Sequence, residues 1–162
     1  MAIANDLDRA TDSTWDWVAQ QTRLYLASGG TEGHESNGVY TLVLATTGRR
    51  TGEPRRTCLI YGTSGDDFVV VASKGGADQD PDWFQNLRAH PSVGVQVGTR
   101  RFTARARVAS SAEREALWPQ MARIFPLYNE YAQKTDRVIP IVLLLPRTDL
   151  RPTPVCCARK SA

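Results

Sequence analysis

Six short apolar runs rich in β-branched residues constrain the fold of this chain more than any other feature. They are residues 39–46, 57–62, 68–73, 93–97, 102–108 and 139–145. Runs of this length, bounded by Gly, Pro and Asp residues, predict β-strands. Residues 63–67 (TSGDD) and 98–101 (GTRR) are typical of hairpin turns, so neighbouring strands should be antiparallel. The pattern predicts a mostly β, α+β domain built on a barrel of about six largely antiparallel strands.

Helical patterns flank and interrupt these runs. Residues 7–27 have apolar side chains at helical spacing, with Asp12 or Ser13 as a possible cap of the second part. Helices are also predicted over 81–89 and over 111–134, the latter broken at Pro126. We therefore divide the chain into an N-terminal helix with a Gly-rich linker (1–38), a barrel domain with its helices outside (39–147) and a loosely held tail (148–162).

Composition and targeting signals narrow the function classes. The chain has 162 residues, 41% of them hydrophobic, which suits one domain with one core. A net charge of only +3 argues against a protein that binds duplex nucleic acid through a wide cationic surface. An export signal and a span of about 18 apolar residues are both missing, which predicts a cytoplasmic protein. The N-terminal helix could cover a pocket, make a peripheral membrane contact or support a dimer, so we expect a monomer or a weak dimer.

Neither cysteine nor histidine usage points to a metal or to disulfides. Cys58 lies in a strand pattern, and Cys156 and Cys157 are adjacent in the tail, which is no disulfide framework. His34 and His90 are isolated and are predicted to be surface residues. We therefore predict no metal site.

Positive charge is concentrated in one glycine-containing turn, TTGRRTGEPRR, residues 46–56. Its four arginines offer forked donors that match the oxygens of phosphates and carboxylates. Gly48 and Gly52 permit the tight backbone that such a turn needs. An anionic ligand and an ordinary solvated hairpin remain equally good interpretations of this turn alone.

A second basic turn, SKGG at residues 73–76, follows the third run and precedes the helix at 81–89. Backbone N–H groups, a lysine and a helix N-terminus can converge there on one anion. The spacings of a nucleotide P-loop and of a dinucleotide-binding fingerprint are both absent. Two such turns in one small barrel favour an anionic ligand.

Three segments together give a specific resemblance. LVLATTGRRTGEPRRTCLIYG, VVVASKGGADQDPDWFQNLRAHPSVGVQVG and LWPQMARIFPLYNEYAQKTDRVIPIVLL, within residues 41–145, resemble the deazaflavin-dependent nitroreductase family of actinobacteria. The resemblance implies a split β-barrel of the kind that binds flavin mononucleotide. It also implies coenzyme F-420, an 8-hydroxy-5-deazaflavin with a polyanionic phospholactyl oligoglutamate tail, as the cofactor. Such a tail would explain the clustered cations.

The resemblance also implies the residues of the site. The coenzyme's anionic tail would be bound by Arg49, Arg50, Arg55 and Lys74, with the amides of Gly75 and Gly76 nearby. Thr51 and Arg56 are two further positions implied to bind the coenzyme. Those expected beside the ring are Thr57, Cys58, Ala72, Ser73, Trp83 and Asn86. Without the resemblance, Trp83 would be taken as a core anchor of its helix and Asn86 as a surface amide.

Substrate and catalytic positions are implied near the helix break. The acceptor would contact Ile60, Phe125, Tyr128 and Tyr131. Ile60 and Phe125 stand where tyrosines are common in the family, and Cys58 replaces a frequent proline. Ser73, Tyr128 and Tyr131 are the expected catalytic residues, hydrogen-bonding the acceptor's oxygen as it gains charge.

These features predict a reductase that passes a hydride from reduced coenzyme F-420 to a small conjugated acceptor such as an enone, a quinone or a nitroaromatic. A flavin-mononucleotide-dependent oxidoreductase on the same barrel is the alternative. A third reading is a non-catalytic protein that binds deazaflavin or another anion, with single-stranded nucleic acid as one candidate ligand. The two basic turns and the tyrosine pair coincide in the first reading alone, and we predict no nucleic-acid partner.

Overall fold

The computed structural model of the protein describes residues 4–147, and within them one curled antiparallel sheet is surrounded by four α-helices. The strands are β1 (Glu35–Ser36), β2 (Val39–Thr47), β3 (Pro54–Ile60), β4 (Gly62–Ser64), β5 (Asp67–Val71), β6 (Ser92–Val97), β7 (Arg100–Val108) and β8 (Ile141–Pro146). The helices are α1 (Asp16–Ala27), α2 (Asp82–Ala89), α3 (Ser111–Ile124) and α4 (Leu127–Gln133). Short 3-10 turns occur at Ala4–Leu7 and Lys74–Gly76.

The order of strands in the sheet is β1-β2-β6-β7-β8-β5-β4, and β3 pairs with the other edge of β2. All of these pairings are antiparallel, as the hairpin turns predict. The Gly65 hairpin joins β4 to β5, and the Gly98 hairpin joins β6 to β7. The split-barrel prediction is therefore confirmed.

The strand count needs a correction, because the described residues contain eight strands rather than six. The run predicted at 57–62 changes partner at Tyr61: β3 pairs with β2, whereas β4 pairs with β5. Continuous apolar character hides such a change of partner, because it is the same on both sides of the break. The other added strand, β1, has only two exposed polar residues and no apolar signal.

The core lies on both faces of the sheet. Inside the curl, Leu42 and Leu44 of β2 meet residues of β5, β6 and β8. On the outer face, α3 and α4 pack Leu117, Met121 and Tyr128 against β5 and β8. Because both faces of these strands are covered, their sequences are nearly continuous apolar runs instead of alternating ones.

The N-terminal segment is only partly helical, contrary to the helix predicted over 7–27. Residues 8–15 are not helical, and Thr11 pairs with the outer edge of β3: its N–H donates to the Pro54 carbonyl, and its carbonyl accepts from the Arg56 N–H. Tyr25, fully buried near the end of α1, donates its hydroxyl to the Thr41 carbonyl (2.9 Å) and accepts from the Gly98 N–H (2.7 Å). The edge pairing and the tyrosine together hold the segment against the sheet.

Neither predicted cap begins α1, since its N-cap is Trp15 and makes no side-chain cap. His34 is half-buried among Tyr25, Tyr40 and Tyr61, contrary to the surface position predicted for it. None of the helices in the described part of the chain has the length and apolar content that crossing a membrane requires. The predicted tail, residues 148–162, lies outside the described residues.

Candidate active site

One cavity of about 850 Å³ brings most of the predicted site residues together. It lies between β3, the lysine turn (residues 73–76), α2, the start of α4 and the N-terminal segment. The predicted residues that line it are Arg55, Arg56, Thr57, Cys58, Ile60, Ser73, Lys74, Gly75, Trp83, Asn86, Phe125, Tyr128 and Tyr131. Cations, strand side chains and the aromatic residues near the break between α3 and α4 therefore line one cavity.

The lysine turn has an unusual backbone. Lys74 adopts φ +47°, and Gly75 and Gly76 follow with φ +64° and +86°. A left-handed conformation costs a residue with a Cβ roughly 1–2 kcal/mol. Lys74 faces the cavity, and no described residue accepts a hydrogen bond from the Gly75 N–H. The turn therefore offers a cation and a backbone donor to the cavity.

Gly76 serves packing instead of offering its amide to the cavity. Its N–H donates to the Ser73 carbonyl at 2.9 Å. A Cβ at this position would lie 2.8 Å from the Tyr131 carbonyl oxygen and 3.0 Å from the Tyr131 Cα. The lysine turn can therefore approach α4 closely only because residue 76 is glycine.

The arginine turn (residues 48–56) is the β2–β3 hairpin, and it is anchored to α2 by a buried amide. The Asn86 Oδ1 accepts from the Arg49 N–H (3.1 Å) and Nη1 (2.9 Å), and its Nδ2 donates to the Thr46 hydroxyl (3.2 Å). Arg49 also reaches Asp82 at 3.3 Å. Asn86 is only 4% exposed, so the surface-amide interpretation is wrong.

Arg56 is tied to the N-terminal segment. Its Nε donates to the Asp12 carboxylate at 2.6 Å, and its Nη1 donates to the Leu7 carbonyl at 2.8 Å. Arg23 of α1 binds the other oxygen of Asp12 at 2.8 Å. Burial opposes the charge of Asp12, but the hydrogen bonds from Arg56 and Arg23 outweigh it and lower the pKa of that carboxyl. Arg56 thus lines the cavity while its charge is already compensated.

Cys58 presents a neutral thiol to the cavity. Burial raises its pKa to about 11, although a hydrogen bond with Thr41 acts in the opposite direction. A thiolate is the nucleophilic form of cysteine. Cys58 therefore contributes surface to the cavity and no nucleophile near neutral pH.

Tyr128 supplies the most distinctive polar atom of the cavity. It is only 5% exposed, and its hydroxyl forms no hydrogen bond with any described residue. Burial raises its pKa, and the neighbouring Tyr131 adds to that effect. The rings of Phe125 and Tyr131 lie 5.0 Å and 6.4 Å from the Tyr128 ring. A buried, protonated and unpaired hydroxyl needs a partner, which a bound ligand can supply.

Five predicted residues do not line the cavity. Arg50 and Thr51 are exposed at the tip of the arginine turn, and Arg49 is directed to Asn86. Ala72 and Gly76 are buried behind the lysine turn. The residue types of a basic turn indicate which side chains carry charge, but they do not indicate which of them face inward.

The prediction that the N-terminal helix could cover a pocket did not identify which residues form the N-terminal wall of the cavity. Trp15, Trp17, Val18 and Gln21 line it, together with Asp12. Trp15 and Trp17 are 44% and 65% exposed, and their rings lie 6.2 Å apart. The signal was the pair of tryptophans at the start of α1, which the amphipathic pattern of the helix did not explain.

Comparisons with known proteins show which family the chain belongs to. The model of the F420H(2)-dependent quinone reductase family matches residues 17–146. An F420H(2)-dependent quinone reductase of Mycobacterium tuberculosis is 37% identical over 133 residues, which are 76% of this chain and 86% of the relative. A solved F420-H2 dependent reductase, FDR-A, is 35% identical with a TM-score of 0.60, covering 64% of this chain and 92% of its own.

A solved domain-swapped dimer is also similar, with 35% identity and a TM-score of 0.63, covering 82% of this chain and 99% of its own. The family model extends over most of the chain, including the two basic turns and the helix break. The predicted resemblance, the oxidoreductase class and the deazaflavin cofactor are thereby confirmed. The chain belongs to the F420H(2)-dependent quinone reductase family.

Proposed function

We propose that the protein transfers a hydride from reduced coenzyme F-420 to a quinone or a similar conjugated acceptor held in the cavity described above. The observation that carries the proposal is one cavity lined both by cations and by Tyr128, whose buried hydroxyl has no partner among the described residues. The predicted enone and nitroaromatic acceptors have the same requirement for a donor beside an electron-poor group. Enones and nitroaromatics are therefore the alternative acceptors in this proposal.

The residues of the cavity fit the coenzyme. Arg55 and Lys74, with the Gly75 N–H, supply donors for phosphate and glutamate oxygens. Trp83 and the β3 side chains Thr57 and Cys58 offer the flat, largely apolar walls that a tricyclic ring needs. When bound in its reduced form, the coenzyme supplies a hydride carried on carbon.

The chain's own residues orient the acceptor and stabilise its charge. The Tyr128 Oη holds its proton because burial raises the pKa of the phenol. In our proposal it donates a hydrogen bond to the acceptor oxygen as negative charge develops there. Tyr131 and Ser73 line the same cavity and are the second candidates for this contact. Phe125 and Ile60 add apolar contact, which positions the acceptor without competing for its oxygen.

In this proposal the N-terminal wall of the cavity is also the place where the acceptor enters. Trp15 and Trp17 border the cavity and also face solvent, so an acceptor dissolved in a lipid surface could enter past them. Tryptophan favours the boundary between water and lipid. We therefore propose a cytoplasmic protein, monomeric or weakly dimeric, with a peripheral membrane contact through α1. Sedimentation with anionic vesicles should fall when Trp17 is replaced by Gln.

Two measurements test the proposed reaction. Fluorescence titration should show binding of coenzyme F-420 in preference to flavin mononucleotide. Single-turnover reduction of a naphthoquinone should then slow about 100-fold in Tyr128→Phe, the magnitude typical of a lost oxyanion donor. Tyr40→Phe, an exposed tyrosine on β2 outside the cavity lining, is the control. Tight binding of flavin mononucleotide without binding of coenzyme F-420 would overturn the proposed coenzyme. Equal rates in wild type and Tyr128→Phe would overturn the proposed role of Tyr128.

A further inference from the structure

Arg137 lies between α4 and β8, outside the cavity lining, yet its guanidinium is directed at the lysine turn. Its Nε donates to the Ala77 carbonyl at 2.7 Å, and its Nη2 donates to the Ser73 carbonyl at 2.9 Å. Both Nη atoms also reach the Ala72 carbonyl, at 3.3 and 3.4 Å. Its Nη1 pairs with the Asp80 carboxylate at 2.9 Å. The side chain is only 15% exposed, so these contacts are largely shielded from water.

The carbonyls that Arg137 engages stand on both sides of Lys74. Ala72 and Ser73 precede the left-handed residues, Ala77 follows them, and Asp80 lies in the segment that leads into α2. Inside the turn only two backbone hydrogen bonds are present, from Gly76 to Ser73 and from Ala77 to Lys74. A strained conformation persists where surrounding contacts over-determine it. Arg137 supplies those contacts.

We infer that Arg137 is a positioning residue for recognition of the coenzyme's acidic tail. By fixing the carbonyls before and after the lysine turn, it holds Lys74 in its left-handed conformation and its ammonium toward the cavity. The inference rests on the proposed function, because it assigns the anion that Lys74 meets to the coenzyme. Arg137 touches no ligand itself and acts through Lys74.

An arginine is needed for this role because of its shape. The guanidinium carries five N–H donors in a rigid plane, so one side chain can bridge carbonyls four or five residues apart along the chain. A lysine at the same position keeps the charge but has one compact donor group. Arg137→Lys therefore separates the geometric role from the charge.

The test compares two ligands by fluorescence titration: coenzyme F-420 and its tail-free form, which has the ring but neither phosphate nor glutamates. Arg137→Lys should weaken binding of coenzyme F-420 about tenfold or more, as expected when a charge-assisted contact is lost. Binding of the tail-free form should change less than about twofold. Arg105→Lys, the same exchange at an exposed position of β7, should alter neither affinity.

A double-mutant cycle provides the decisive readout. If Arg137 acts through Lys74, then Lys74→Ala combined with Arg137→Lys should bind coenzyme F-420 within about twofold of Lys74→Ala alone. Additive losses would overturn the inference, as would equal weakening of both ligands, which a merely structural role predicts. Circular dichroism identifies variants that do not fold. In that case Asp80→Asn, which removes one contact of Arg137 and keeps the carbonyl contacts, should shift the ligand preference in the same direction by about threefold.

The same data separate this inference from the proposed function. A wild-type protein that binds neither ligand refutes the proposed function. A wild-type protein that prefers coenzyme F-420, with the preference unchanged in Arg137→Lys, refutes the inference alone.

Discussion

The arginine turn and the lysine turn resemble each other in sequence, but they present charge in different ways. In the arginine turn, two of the four arginines hold the hairpin with their own side chains: Arg49 binds Asn86 and Arg56 binds Asp12. In the lysine turn, the cation is held by its backbone, and the contacts that fix it come from the distant Arg137. Charge that anchors a loop is already compensated, whereas charge held by other groups remains available to a ligand.

The same contrast divides the cations that were predicted to bind the coenzyme. Arg49 and Arg56 form ion pairs within the protein, although Arg56 also lines the cavity. Arg55 and Lys74 line the cavity and form no ion pair with a described residue. Arg50 is exposed outside the lining. Substitutions at matched positions of the two turns test this contrast.

The largest expected effect is the loss of unfolding free energy when a glycine is replaced, compared between one glycine of each turn. Gly76→Ala places a Cβ 2.8 Å from the Tyr131 carbonyl oxygen at φ +86°, while Gly52→Ala meets nothing within 4 Å at φ +76°. Backbone strain of roughly 1–2 kcal/mol applies to both, and overpacking adds about 1–3 kcal/mol at residue 76 alone. Urea denaturation should show the greater loss of unfolding free energy for Gly76→Ala. Equal losses would mean that α4 yields easily and that the close approach is unimportant.

The next effect concerns coenzyme affinity. Lys74→Ala and Arg55→Ala should each lower the affinity for coenzyme F-420 by about 1.5–3 kcal/mol, the usual value of a hydrogen bond to a charged group. Arg50→Ala should change it by less than about 0.5 kcal/mol, since exposed charges outside the cavity are screened. Isothermal titration calorimetry measures all three. A loss in Arg50→Ala equal to that in Lys74→Ala would place the tail on the outer face of the hairpin.

The fold was largely predictable because its signals are local. Each of the six apolar runs contains a strand, and the two hairpins were indicated by Gly65 and Gly98. The exchange of partners at Tyr61 was not predictable, since partner choice depends on the closure of the sheet and not on the residues of the run. The helix predicted over residues 8–15 was wrong, and Thr11 instead pairs with the edge of β3, which is distant in sequence.

The site was predictable in residue type and less so in direction. The resemblance located both basic turns and the aromatic group, which the structure brings to one cavity. It could not indicate that Arg56 faces Asp12, or that Arg137 holds the lysine turn, because each pair is joined only by tertiary packing. The sequence places Arg137 sixty or more residues from the carbonyls of residues 72, 73 and 77.

A smaller effect on unfolding free energy is expected at Arg56, which holds the N-terminal segment through Asp12. Arg56→Gln should lower the unfolding free energy by about 1–2 kcal/mol, between the values for exposed and fully buried ion pairs, because it leaves Asp12 with Arg23 alone. Its effect on coenzyme affinity should be smaller than that of Arg55→Ala, because the Arg56 charge is already paired. An affinity loss as large as that of Arg55→Ala, without destabilisation, would show that Arg56 binds the coenzyme directly.

The dependence of protein stability on acid pH is the control for Arg56→Gln, because it tests the charge of the partner Asp12. The pKa of Asp12 is lowered in the folded protein, so its charge contributes stability above the ordinary carboxyl value of 3.8. That contribution is lost as the pH falls below this value through the folded pKa. The stability difference between wild type and Asp12→Asn should therefore be full at pH 7 and shrink below about pH 3.8. A difference that is constant with pH would show that Asp12 acts through shape and not through charge.

The smallest effect tests whether the lysine turn gives up stability for binding. Lys74→Gly should remove the left-handed strain, at roughly 1–2 kcal/mol, and add the entropy cost of a glycine, at roughly 0.5–1 kcal/mol, for a net gain in unfolding free energy of about 0.5–1 kcal/mol. Affinity for coenzyme F-420 should fall as it does in Lys74→Ala, while Lys74→Ala itself keeps the strain and gains no stability. Thermal unfolding of the two variants side by side measures the difference. If Lys74→Gly is no more stable than Lys74→Ala, the left-handed backbone at residue 74 stores no strain, and the contrast with the arginine turn reduces to which side chains face the cavity.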